Sequence, residues 1–283
     1  MYGYKSNTMN VGEKMRSSKL ISATIGMLLT NATLAGMQEI KVSNNQLSIQ
    51  LMTLNMDYAE KDDAGVLLDT EKGPVSGTTL IYTSMRSRAN VYFQGQYSRN
   101  DGKTNYVGGL IGPPPTPYGS IVTTSVATVT NYSIRLGKGF EAGNNYLYTN
   151  ASMLTPDIEL GRQEWYRGVN AGETYYHNAY GIGLLWQMSS SGSSLVMSVN
   201  GLAGRTFGAY IDVSGYFSGA LGNSTLYKGG INFDYALNKV LHLNGGVEYV
   251  RYSYGKSDVY SGYLEPDSTT SILFYKAGIG ISF

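Results

Sequence analysis

The chain contains two histidines, His177 and His242, and no cysteine. A hydrolase needs a positioned base, acid or nucleophile, and a thiolate metal site needs cysteine. Any such chemistry would therefore fall to these two imidazoles and to nearby carboxylates or hydroxyls. Asp62-Asp63 form one acidic pair, and Asp212 precedes Val213-Ser214 with no histidine beside it. His177 is followed by Asn178-Ala179 and His242 by Leu243-Asn244, so neither has a serine next to it. The spacing identifies no catalytic residue, no metal site and no cofactor. A second set of groups, Arg135, Asp234, Glu248 and Lys276, interrupts otherwise apolar or small-residue stretches. Such charges select solutes if they line a pore. If they pair with one another, they plug a narrow lumen instead.

These residues sit on segments with a period of two. Val122, Val126, Tyr132, Ile134 and Leu136 share one parity, and Ser125, Asn131, Ser133 and Arg135 the other. The same split occurs over Tyr176–Met188 and Tyr227–Leu237. Successive strand side chains point to opposite faces, so each segment is a strand with one apolar and one polar face. The parity turns Arg135, His177, Asp234, Glu248 and Lys276 to the polar face. His177 falls near one end of its strand and His242 near the opposite end of its own, too far apart to share a metal.

The same reading gives strands at Leu47–Tyr58, Thr79–Arg86, Ala89–Arg99, Tyr146–Leu160, Ser194–Thr206, Leu241–Tyr254 and Ser271–Phe283. Leu47, Ile49 and Leu51 have one phase and Leu54, Met56 and Tyr58 the other, which predicts a β-bulge near Met52. Pro156 is awkward inside a strand. The total is ten strands, with eight or twelve as alternatives.

Connections alternate in length. Short ones fall near 87–88, 137–145, 189–192 and 238–239. Long ones cover 60–77, 100–120, 161–174, 207–223 and 255–270, and the second carries a stiff tip, Pro113-Pro114-Pro115 with Pro117. Short turns on one side and long loops on the other are how outer-membrane barrels are built.

Composition points the same way. Charged residues are 14% of the chain, against roughly 25% in soluble domains. The 25 tyrosines and 36 glycines suit interfacial belts and close strand packing. A net charge of +1 without a basic patch excludes a nucleic-acid partner. Lys14, Arg16 and Lys19 precede an apolar run, Leu20–Leu29, and a small residue, Ala35. This is the pattern of a secretory signal peptide. The run falls well short of the roughly 20 residues of a membrane-spanning helix. The expected organisation is a signal peptide over 1–35, with Met15 as an alternative start, a periplasmic segment over 36–46, and the barrel over 47–283.

The chain ends in SILFYKAGIGISF, where Leu273, Tyr275, Ala277, Ile279, Ile281 and Phe283 share one face. This segment resembles the terminal strand of Gram-negative outer-membrane β-barrel proteins. The resemblance implies an all-β, single antiparallel transmembrane barrel in the outer membrane. It also implies that Tyr275, Ile279, Ile281 and Phe283 serve as a signal to the barrel-assembly machinery. Omptin-type proteases have ten strands too, with paired aspartates and an Asp–His pair at the external rim. Asp62-Asp63 and Asp212 match the acids, but the histidine is missing. Phospholipase-type barrels need a His and a Ser close together on a strand, and this chain lacks that pairing.

The expected function is that of a non-enzymatic surface protein with loop-mediated binding or an envelope-structural role. A small porin-like channel is the alternative, and an enzyme comes third. The expected partners are outer-membrane lipid and lipopolysaccharide, the assembly machinery, and a host or cell-surface ligand. Tyr210, Tyr216, Phe217, Tyr254, Tyr260 and Tyr263 are the loop candidates, because Tyr among Ser, Gly and Asn makes adaptable contact surfaces.

Overall fold

The computed structural model describes residues 36–86, 88–109, 116–142, 150–169, 172–190, 192–260 and 262–283. The expected leader, the triple-proline tip and the 146–149 start of the fifth expected strand lie outside these residues. The strands are β1 (Gln46–Lys61), β2 (Leu67–Arg86), β3 (Val91–Gly108), β4 (Ile121–Lys138), β5 (Phe140–Ala142), β6 (Asn150–Arg167), β7 (Glu173–Ser190), β8 (Leu195–Val213), β9 (Phe217–Ala220), β10 (Thr225–Ala236), β11 (Leu241–Tyr254) and β12 (Asp267–Ser282). All pairings are antiparallel.

The twelve segments make ten staves. Gly137 pairs with Asp157 and Phe140 with Leu154 in one continuing register, so β4 and β5 are one stave. Its interruption falls opposite Pro156, which has no N–H to give to a ladder. Pro156 thus lies inside β6, where it splits its neighbour's pairing without ending its own strand. Likewise Thr225 pairs with Arg205 and Ala220 with Tyr210, so β9 and β10 form one stave along β8. β1 pairs with β12 from Gln46↔Ser282 to Lys61↔Asp267 and closes the sheet. Closure removes the unpaired edges that lipid does not tolerate.

The strands run well past the expected ends. Most of the long loops expected at 60–77, 100–120, 161–174 and 207–223 are strand. The reason is an inversion of the two faces along each stave. In the lower part of β1, Leu47, Ile49 and Leu51 point outward while Gln46, Ser48 and Gln50 point in. Higher up, Asn55 and Asp57 point outward while Leu54, Met56 and Tyr58 are buried inside. Pairing is regular across Met52 on both neighbours, so the expected bulge is absent. The change of phase reflects a change of surroundings. Lipid meets the lower wall and water the upper one. The register does shift between Tyr176 and Asn178 on β7, opposite Gly208 of β8, whose φ of 58° suits glycine.

Outward aromatics mark the lipid band. Tyr97, Tyr132, Tyr180, Tyr227, Tyr249 and Tyr275 form an upper belt, and Tyr82, Phe93, Trp186, Tyr235 and Phe283 a lower one. Amphipathic rings favour such interfaces. Phe283 stacks on Tyr82 at 5.6 Å, which fixes the chain's last residue to the second stave.

The lumen is filled in three layers. At the periplasmic mouth, residues 36–43 form a short helix. Its Met37 and Ile40 pack among Met85, Tyr92, Ala151, Met153, Leu185 and Val196. Asn44 and Gln187 exchange side-chain hydrogen bonds at 2.7 and 3.1 Å. Above this floor lies a polar cavity of 170 Å³. Above the cavity, an apolar roof contains Leu54, Val129, Trp165, Tyr252, Tyr254 and Ile272. Tyr58 meets Trp165 edge-on at 4.9 Å, and Trp165 stacks on Tyr175 at 5.3 Å.

Trp165→Ala should destabilise the barrel by about 3–5 kcal/mol, as large-to-small core changes do. Urea titration of the barrel in detergent micelles measures this. A loss well under 1 kcal/mol would show that the roof is not a packed core.

Candidate binding surface at the external end

The histidines and the lumen charges come first, because they carried the chemical expectations. Arg135 pairs with Glu159 at 2.7 Å and with Asp157 at 3.4 Å. Lys228 bonds the same Glu159 at 2.5 Å, and Lys276 lies 3.5 Å from Glu248. His242 contacts Asp234 at 2.6 Å near the periplasmic end, and Asp234 also accepts from Gln46 at 2.9 Å. His177 meets the Tyr254 hydroxyl at 2.7 Å beneath the roof. All five expected lumen residues face inward, and each charge has an opposite charge or a polar partner. Both histidines are buried on separate staves, and neither reaches the external rim where Asp62 and Asp63 lie.

A buried ionic cluster that sequence reasoning missed tops the roof. Arg167, at the end of β6, reaches Asp69 and Glu71 at 2.9 Å, Glu60 at 3.2 Å and Glu173 at 3.4 Å. Its guanidinium also lies 5.0 Å above the Tyr58 ring and 5.4 Å from those of Tyr106 and Trp165. Thr104 donates to Glu71 at 2.5 Å. A fifth carboxylate, Glu265, comes from the loop before β12 and accepts from the Tyr175 hydroxyl at 2.6 Å. One guanidinium cannot balance five carboxylates out of water. Burial first, and the nearby Glu173 carboxylate second, push the Glu265 carboxyl up to about 8 against the opposing bond from Tyr175 and the charge of Arg167. Glu60, Asp69, Glu71, Arg167 and Glu173 were expected in loops. Their alternation does continue the parity of the strands below, so extending the period of two would have found them.

The loop carrying Glu265 builds the outermost surface. Ser257 accepts from the Glu265 amide at 2.9 Å, and Tyr260 and Tyr263 form a backbone bridge. Lys256 pairs with Asp63 of the first external turn at 2.9 Å. Phe217 stacks on Tyr263 at 6.0 Å with 2° between the rings, and Tyr216 meets Tyr263 edge-on at 6.0 Å. The Tyr260 ring lies over Gly219, where no Cβ would fit. Tyr216, Phe217, Tyr260 and Tyr263 therefore converge on one patch, edged by exposed Val259 and Leu264. Two of the expected loop residues lie elsewhere. Tyr210 stacks on Tyr176 at 5.2 Å on the outer wall, and Tyr254 is buried in the roof.

The raised Glu265 makes docking of this loop depend on pH. The docked carboxyl keeps its proton up to about pH 8, whereas a released, solvated one loses it near its ordinary value. Docking is therefore favoured at low pH and weakens as pH rises through that window. Hydrogen-exchange protection over 255–266, with the intrinsic pH dependence of amide exchange divided out, should be lower at pH 9 than at pH 6, and Glu265→Gln should remove the difference. Equal protection at the two values would mean the carboxyl is not buried against the cluster.

No protein-family model matches the chain, and no curated protein matches it. Among solved structures it is similar to the outer membrane protease OmpT from Escherichia coli, with TM-score 0.53 and 10% identity, covering 86% of this chain and 97% of that one. It is also similar to the β domain of the Bordetella autotransporter BrkA, with TM-score 0.41 and 13% identity, covering 84% and 100%. For Neisserial surface protein A the TM-score is 0.32 at 13% identity, covering 84% and 97%. Likeness at such identities speaks to architecture alone, and that architecture is a closed antiparallel β-barrel of the kind found in Gram-negative outer membranes.

Proposed function

We propose that this is a non-enzymatic surface protein whose external aromatic patch is a binding site. The observation that supports this most is the filled interior. The helix over 36–43, the paired lumen charges and the apolar roof block the axis, so the exposed external end is what remains to meet a partner. Tyr216 and Tyr263 supply rigid rings with hydroxyls at low entropic cost, as contact surfaces for glycans or proteins do. An enzyme reading draws on the architectural likeness to a protease, but both imidazoles lie inside the lumen.

Proteoliposomes carrying the protein should be retained on immobilised glycans or extracellular-matrix protein. Tyr216→Ser with Tyr263→Ser should reduce retention about tenfold or more, the scale of losing two anchoring aromatics. Failure of the unmodified protein to be retained on either surface would sink the binding reading in favour of an envelope-structural role.

A second reading, a small channel, is favoured by the charged cavity between floor and roof. In planar bilayers the full chain should show no steady conductance, because the roof holds Leu54, Trp165 and Ile272 where a pore would need water. Stable ohmic steps would reverse the order of the two readings.

A further inference from the structure

We propose that the outer wall over β8, β10 and β11 is a site for the bisphosphorylated saccharolipid of the outer leaflet, lipid A. It involves a different surface from the aromatic patch and rests only on the membrane placement. Four arginines point outward just above the upper tyrosine belt: Arg99, Arg162, Arg205 and Arg251. Two are already engaged. Arg99 pairs with Asp101 at 3.1 Å, while Arg162 lies 3.7 Å from Glu164 and 5.0 Å above the Tyr176 ring. Arg205 and Arg251 have no carboxylate at salt-bridge distance among the described residues. They flank one stave, with Arg205 opposite Thr225 and Arg251 opposite Tyr227. Two strand spacings and a two-residue offset put their Cα atoms about 12 Å apart. Two unpaired guanidinium groups at that separation suit an anion with a phosphate at each end, since the guanidinium fork matches phosphate geometry.

Directly below them the lipid-facing wall is hollow. Met197, Val199, Ile231, Phe233, Val247, Tyr249, Leu273 and Tyr275 surround a shallow apolar trough. At its upper end Gly201 and Gly229 are cross-strand partners. Internal packing does not require either glycine. A Cβ at Gly201 would meet nothing within 4 Å, and one at Gly229 would meet only the Asn200 carbonyl at 3.9 Å. Glycine costs stability in a strand, so these two leave space outside the protein, at acyl-chain depth beneath two free cations. A second copy of the chain is the poorer occupant, because a two-fold contact over this trough would bring the arginines of both copies together.

The test is native mass spectrometry of the whole protein in detergent, titrated with hexa-acylated bisphosphoryl lipid A and with its monophosphoryl form. The protein should retain one bisphosphoryl molecule. Retention should fall at least about tenfold for the monophosphoryl form and for Arg205→Ala with Arg251→Ala, the scale of a lost charge-assisted contact. Gly201→Val with Gly229→Val should also fall, with the barrel intact by heat-modifiable electrophoretic mobility, because the added side chains enter open space. Equal retention by all proteins would overturn the assignment. So would a lipid-free dimer that the valine pair dissociates, since the trough would then be an interface between copies.

Discussion

A closed sheet of ten staves encloses a space, and that space must be packed, flooded or plugged. Eight strands just hold side chains, and open aqueous channels belong to barrels of sixteen or more. Ten is an intermediate case, and here the residues of each strand solve it differently at different heights. Within the membrane, lipid takes the outward apolar face, so the lumen keeps Gln, Asn and balanced charges such as Arg135 with Glu159. Above the membrane, water takes the outward face. The same strands then turn Leu54, Trp165 and Ile272 inward, and the lumen becomes an ordinary hydrophobic core. The external half is folded like a soluble β-barrel and stands on a transmembrane one.

This inversion also explains which parts of the fold could be read from the sequence. Ten staves, their antiparallel order and the lipid-facing terminal strand were legible, because alternation in the membrane half is strong. The external halves were not. There the apolar parity switches, so β1 looked bulged at Met52 and the upper ends of β2, β6 and β8 looked like loops. Arg167 and its carboxylates lie in that misread region, and so the most densely charged site among the described residues went unseen. The helix over 36–43 was hidden for another reason. Its two anchors, Met37 and Ile40, make too short a pattern to suggest a helix, and the barrel mouth supplies the packing that forms it.

The two ends of the described chain meet at the seam. The helix is followed almost at once by β1, whose Gln46 pairs with Ser282 of β12, and the Phe283 amide donates to the Asn45 carbonyl at 3.1 Å. The last rungs of the ladder and the floor of the lumen therefore form in one place. A barrel that has not finished zipping is also one whose periplasmic mouth is unsealed.

The height of β1 has a consequence for where contact takes place. Its upper-belt neighbour, Leu51, lies ten residues below Lys61, which at the tilt usual for barrels raises the stave about 25 Å above the acyl region. The rigid upper storey acts as a pedestal, holding the rings of Tyr216 and Tyr263 well clear of the acyl region. Those rings are thus held up by paired strands rather than by a long free loop.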